Sequence, residues 1–180
     1  TLYRFCALKT LENKNSYNEK FINKIANSIT LKKLQNKKLY SPEVAKLSSI
    51  IAKKPYVRKA LKGFQINFIK KSKLVVVEGR DIGSKIMPNA DLKLFFTCST
   101  KEKAKRRLKE FKNLNKNISL KKVEKALIQR DKEDTKRKIS PLIMAKNSVL
   151  VDTTKLTIKQ MEAKLINLVQ RSISKKYGDI

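Results

Sequence analysis

Arg80 and Asp81 follow an apolar run across a Glu-Gly step, in Leu74-Val75-Val76-Val77-Glu78-Gly79-Arg80-Asp81-Ile82-Gly83. A guanidinium can clamp an anion through paired N–H donors, and a carboxylate can accept hydrogen bonds from an amine. The unbroken apolar run fits a strand buried on both faces. In open α/β sheets the ligand sits just outside the carboxyl ends of such strands, where Arg80 and Asp81 would project. The plainer alternative is a surface turn with an ordinary ion pair. Further along, Arg130, Asp134 and Arg137 recur at i, i+4 and i+7, so they share one face if that helix continues.

The 180 residues suffice for one domain with a real core. They carry 44 Lys+Arg against 15 Asp+Glu, a formal net charge of +29. Charge alone would suit nucleic acid, which makes a basic nucleic-acid-binding protein the alternative reading. The basic residues are spread along nearly the whole chain, however, and no RNA-binding aromatic signature accompanies them, so no specific nucleic acid is expected. Only 8 of the 44 are Arg. In a chain so rich in Lys, Asn and Ile, a retained Arg marks a place where the planar fork is needed for phosphate or carboxylate. His is absent, which excludes His catalysis and His metal sites. Cys6 and Cys98 lie far apart and form no metal or disulfide pattern, so a reduced, cytoplasmic setting is expected. No apolar run reaches membrane-spanning length.

The elements that must position these residues can be read from periodicity and caps. Leu2, Phe5, Leu8 and Leu11 repeat at helical spacing, and residues 13–20 are turn-like. Residues 21–34 are again amphipathic. Ser41-Pro42 is a cap followed by Pro at the first helical position, and Pro55 opens another helix, with Arg58 near its first turn. Strands are expected at 73–78, 92–97 and 148–152. Ser99-Thr100-Lys101-Glu102 reads as a capping box, Ser119 as a further cap, and Thr157-x-x-Gln160 as the cap of the last helix. Strands alternating with helices imply a three-layer α/β fold.

Taken together, the motifs resemble one family. They are Tyr3-Arg4, Ser41-Pro42-x-Val44, Pro55-x-Val57-Arg58, Glu78-Gly79-Arg80-Asp81-Ile82-Gly83, Pro88-x-Ala90-Asp91, Arg106-Arg107, Arg130-Asp131-x-x-Asp134-x-x-Arg137, Pro141-Leu142 and Val151-Asp152-Thr153-Thr154. In order and approximate spacing they are similar to bacterial cytidylate kinases over essentially the whole chain. The resemblance implies a three-layer P-loop nucleoside monophosphate kinase fold with a parallel sheet in the family order 2-3-1-4-5. It makes residues 1–180 a single kinase domain, with a short, helical monophosphate-binding subregion over about 16–62 and a lid over about 108–138.

Two departures shape the expectation. The phosphate-binding loop G-x-x-x-x-G-K-[ST] does not occur in this sequence. In family terms the first two strands are absent from the chain, which would begin at the helix carrying Tyr3-Arg4. Strands 73–78 and 92–97 would then flank an empty slot, and these residues alone would lack kinase activity.

The implied reaction is ATP-dependent phosphorylation of CMP, and of dCMP, with Mg²⁺, by a cytoplasmic monomer whose partners are these small molecules. By resemblance Arg4 and Arg80 hold the CMP phosphate, and Arg130 reaches the transferring phosphoryl group from the lid. Arg106 and Arg107 assist with ATP phosphates, their alternative being a solvated helix face. Ser49 and Arg58 contact the base, Asp81 accepts from the cytosine amine, and Arg137 donates to its acceptor edge. Asp134 binds the sugar hydroxyls; its alternative is a helical ion pair with Arg130 or Arg137. An Asp81 that reads an amine would favour CMP over UMP.

Overall fold

The structure is a computed structural model that describes residues 1–14, 17–112 and 118–178. Residues 113–117 of the expected lid, and Ser16 at the edge of the monophosphate-binding subregion, lie outside the described residues. Residues 1–180, expected as a single domain, fall into two units, residues 1–77 and residues 78–180.

The first unit is helical. It contains α1 (Leu2–Glu12), α2 (Glu19–Asn27), α3 (Pro42–Ile51) and α4 (Pro55–Lys70), with 3₁₀ turns at Lys32–Gln35 and Lys37–Tyr40. Helix α1 packs chiefly on α3, and α2 on α4. Phe5 and Leu8 are buried as the helical spacing predicts, but Cys6, Ala7 and Thr10 are fully buried too. Helix α1 is therefore enclosed on more than one face, and its short side chains let neighbouring backbones approach. Leu39, Ile51, Val57 and Leu61 complete the centre of this core.

Local chemistry explains the boundaries. Ser41 Oγ accepts from Val44 N at 3.3 Å, with Pro42 at the first helical position. Asn18 caps α2 by accepting from Phe21 N at 2.9 Å. The helix expected over 21–34 ends at Asn27: Ser28 Oγ turns back onto Ile25 O at 2.9 Å, and the chain continues into the 3₁₀ turns.

The second unit holds a parallel pair of strands, β1 (Leu94–Thr97) and β2 (Val149–Asp152), in register Leu94↔Val149 through Thr97↔Asp152. Between them run α5 (Thr100–Lys112) and α6 (Leu120–Lys136), which pack on each other; α7 (Ile158–Tyr177) follows β2. A long helical crossover is what a parallel pair requires. Ser119 Oγ caps α6 from Lys122 N at 3.4 Å, and Thr157 and Gln160 form a reciprocal capping box at α7. At α5 the Ser99 hydroxyl accepts from Glu102 N at 3.3 Å, while the Glu102 carboxylate turns to Arg106.

The strand expected at 73–78 does not form. A strand exists by exchanging backbone hydrogen bonds with a neighbour, and among the described residues β1 and β2 pair only with each other. Leu74 is 93 % exposed and Val76 100 %, so this run is not enclosed by the residues described. The two expected strands that do form each start later than expected and end where expected, at Leu94–Thr97 for 92–97 and Val149–Asp152 for 148–152. Among the described residues no helix is long and apolar enough to cross a membrane.

Candidate functional site

In the second unit four of the motif residues meet at one carboxylate. Asp134 Oδ2 accepts from Arg80 Nε at 2.9 Å and lies 3.9 Å from Arg130 Nε, while Asp134 Oδ1 accepts from Arg137 Nη1 at 3.3 Å. Three guanidinium groups thus share one carboxylate.

The elements explain the convergence. Arg130 and Asp134 stand one turn apart on α6. That helix stops at Lys136, so the face predicted through Arg137 continues by a cap rather than a turn: Arg137 sits at the C-cap with extended backbone (φ −64, ψ 139). Leu142 N then bonds back to Asp134 O at 2.8 Å, and Arg137 Nε donates to Ser140 O. Ser140 adopts a left-handed backbone (φ 52), a geometry few non-glycine residues take, just before Pro141. Arg137 is thus clamped inside its own turn.

Arg80 arrives from the segment before a single π-helical turn, Ile82–Ile86. The Asp81 carbonyl accepts from Lys85 N at 2.8 Å, and Met87 N donates to Ile82 O at 2.7 Å. Gly79 belongs to this tight packing: a Cβ there would lie 2.8 Å from Ile82 Cγ1. Asp81 itself is buried at the start of the turn.

Arg106 and Arg107 part company. The Arg106 guanidinium donates to Thr153 O at 2.7 Å, Thr153 Oγ1 at 3.3 Å and Leu156 O at 3.3 Å, and Nε pairs with Glu102 at 3.3 Å. It braces the turn after β2. Arg107 pairs with Glu110 and lies over the Phe111 ring at 4.6 Å, the arrangement of a solvated helix face. Around the same turn Thr153 Oγ1 donates to Thr97 O at 3.0 Å, and Ser99 N donates to Thr154 Oγ1 at 2.9 Å, tying the carboxyl ends of β1 and β2 together. Asp152 Oδ1 accepts from Thr154 Oγ1 at 2.6 Å and Thr154 N at 2.8 Å, and the hydroxyl bond foremost holds its carboxyl below the usual range. Sequence assigns Ser99 as a helix cap, but not this link to Thr154, and it marks Thr153 and Thr154 only as members of the Val151-Asp152-Thr153-Thr154 motif.

In the first unit Arg4 Nη1 donates to Leu39 O at 3.0 Å, and its guanidinium lies over the Tyr40 ring at 5.3 Å. Arg58 is buried on α4; Nη1 donates to Tyr3 Oη at 2.8 Å and to Ala52 O at 3.4 Å. The sequence marks Tyr3 only as the neighbour of Arg4 and gives no sign of this contact. Ser49 Oγ donates to Ala45 O at 3.3 Å within α3. Cys6 is enclosed, and burial pushes its thiol up to about 12, which makes it an inert core residue.

Among the described residues no three His, Cys, Asp or Glu side chains cluster as metal ligands.

Comparison with known proteins matches the sequence to one family. The model of the cytidylate kinase family fits residues 1–171. The cytidylate kinase of Thermotoga neapolitana is 41 % identical over 133 residues, which is 74 % of this chain and 60 % of that protein. The cytidylate kinase of Alkaliphilus oremlandii is 34 % identical over 180 residues, covering 94 % of this chain and 82 % of the relative. The bifunctional pantoate ligase/cytidylate kinase of Trichodesmium erythraeum is 45 % identical over 129 residues, 71 % of this chain and 24 % of that protein. The chain spans about 60 % of the length of several of the curated relatives it matches. A family match that runs from residue 1 to residue 171 places the chain in the cytidylate kinase family.

Proposed function

We infer that the protein transfers the γ-phosphoryl group of ATP, supplied as its magnesium complex, to CMP and dCMP, giving ADP and the nucleoside diphosphate. The observation that carries this reading is the convergence of Arg80, Arg130 and Arg137 on Asp134, because phosphoryl transfer needs positioned positive charge more than covalent chemistry.

Within this reading Arg80 holds the phosphate of CMP, and an oxygen of that phosphate attacks the γ-phosphorus of ATP. Arg130 neutralises charge on the transferring group from α6, the helical part of the lid. Asp81 accepts from the cytosine amine, Arg137 donates to the acceptor edge of the base, and Asp134 serves the sugar hydroxyls. Lid closure excludes water, which protects ATP from hydrolysis. For Arg4, Ser49 and Arg58 the substrate-binding roles rest on the resemblance. For Arg106 the contacts favour bracing of the turn after β2 over direct phosphate binding.

The sequence given lacks a G-x-x-x-x-G-K-[ST] loop, so the backbone cradle for the ATP β- and γ-phosphates is missing from these residues. The test is a coupled assay of ADP formation with CMP, dCMP and UMP. The complete gene product is expected to convert CMP and dCMP well ahead of UMP, and residues 1–180 alone to show little or no turnover. Absence of CDP formation by the complete protein, or equal use of UMP, would overturn the reading.

A further inference from the structure

Asp134 and the three arginines around it are not equivalent. Arg137 and Asp134 are the inner pair, with side chains 10 % and 17 % exposed, and Arg137 is fixed again by Ser140 O. Arg80 and Arg130 are the outer pair, 41 % and 45 % exposed, and each reaches the same oxygen, Asp134 Oδ2, at 2.9 and 3.9 Å. One carboxylate oxygen thus gathers two guanidinium groups from different elements, the turn before the π-helix and α6. A phosphate monoester dianion presents the same kind of acceptor, with more charge and more oxygens.

We propose that Asp134 Oδ2 is an internal stand-in for a substrate phosphate. It holds Arg80 by a hydrogen bond and Arg130 by a longer ion pair, and an incoming phosphate monoester takes over both guanidinium groups, while Arg137 stays on Asp134 as the fixed floor. This deepens the kinase reading and rests on its placing a nucleotide phosphate at Arg80. It makes Asp134 a positioning residue with two opposed effects. Its carboxylate keeps the outer arginines in place, and its negative charge competes with the anion they are meant to bind.

The competition gives the proposal its test. Asp134→Asn keeps an acceptor oxygen for Arg80 but removes the charge. With inorganic phosphate as the probe, titrated by calorimetry at matched ionic strength, D134N is expected to bind roughly threefold to tenfold tighter than the unaltered protein. Phosphate binding that is unchanged or weaker in D134N would overturn the proposal. Should D134N fail to fold, the unaltered protein decides. In ¹⁵N-resolved spectra of the arginine side chains, the Nε–H signals of Arg80 and Arg130 are expected to move saturably with one apparent Kd, while that of Arg137 stays put. No saturable movement, or equal movement of all arginine signals as loose binding to a highly cationic protein would give, would overturn it. Since inorganic phosphate is no kinase substrate here, a protein that fails to phosphorylate CMP but passes these measurements separates the two readings.

Discussion

Arg80 and Asp134 lie 54 positions apart in sequence, yet Nε of one and Oδ2 of the other are 2.9 Å apart. The pair joins the turn before the π-helix to α6, and Arg80 is two-fifths exposed. An ion pair that open to water is worth about 0–1 kcal/mol of stability. Under the proposed role at the substrate phosphate its chemical value is larger, because losing a positioned donor to developing charge typically costs about 10²–10³ in rate. Arg80→Ala is therefore expected to leave the thermal midpoint of the complete protein almost unmoved and to lower kcat/KM for CMP by about 10²-fold. A calorimetric scan beside the kinase assay checks both halves, and a large fall in the midpoint with little change in rate would refute the assignment.

Asp81 is buried where the chain enters the π-helical turn. As the acceptor for a cytosine amine it would oppose the carbonyl that uracil carries at the same place. A buried polar group left badly paired costs about 1–3 kcal/mol. Asp81→Asn, whose amide can also donate, should lower the ratio of kcat/KM for CMP over UMP by roughly tenfold or more. An unchanged ratio would remove Asp81 from base reading.

What was legible in sequence was local. Ser41-Pro42, Ser119 and Thr157-x-x-Gln160 announced their helices because a cap is a contact between near neighbours. The apolar runs around Leu94–Thr97 and Val149–Asp152 found each other as a parallel pair. Leu74–Val77 reads at least as strongly as a strand, but pairing is a property of two segments, and nothing among the described residues supplies the second. At the site, Arg130 and Asp134 were visible as helical neighbours, whereas the arrival of Arg80 depends on tertiary packing. The bracing role of Arg106 was hidden for the same reason: Thr153 and Leu156 lie 47 and 50 positions away.

Arg58 tests the first unit by itself. It is buried on α4 and donates to Tyr3 Oη and Ala52 O, with its guanidinium 5.3 Å from the centroid of the Tyr3 ring. Arg58→Ala leaves the Tyr3 hydroxyl and the Ala52 carbonyl without that donor and opens space beside α1. The expected cost is about 2–3 kcal/mol, read from the midpoint of urea unfolding at unchanged m-value. Arg58→Lys should recover only part of it, since a compact ammonium cannot match the reach and planar geometry with which the fork meets Tyr3 and Ala52 O. A lysine variant as stable as the unaltered protein would show that charge alone is required.

Asp152 and Thr154 make a pH-dependent prediction at the end of β2. The Thr154 hydroxyl, and then its backbone N–H, donate to Asp152 Oδ1 at 2.6 and 2.8 Å, and both bonds favour the charged carboxylate. The folded carboxyl therefore titrates below its ordinary value of 3.8. The sign follows: the contribution of these bonds is present above the unfolded value and is lost as the pH falls through the lower, folded one. Thr154→Val removes the hydroxyl, the larger cause, and leaves the backbone donor. The Asp152 midpoint, followed by ¹³C carboxyl shifts, should rise toward 3.8 without reaching it. The same change deprives Ser99 N of its acceptor at the end of β1, so the amide signal of Ser99 should shift as well. A midpoint that does not move would mean that the Thr154 hydroxyl does not set the charge of Asp152.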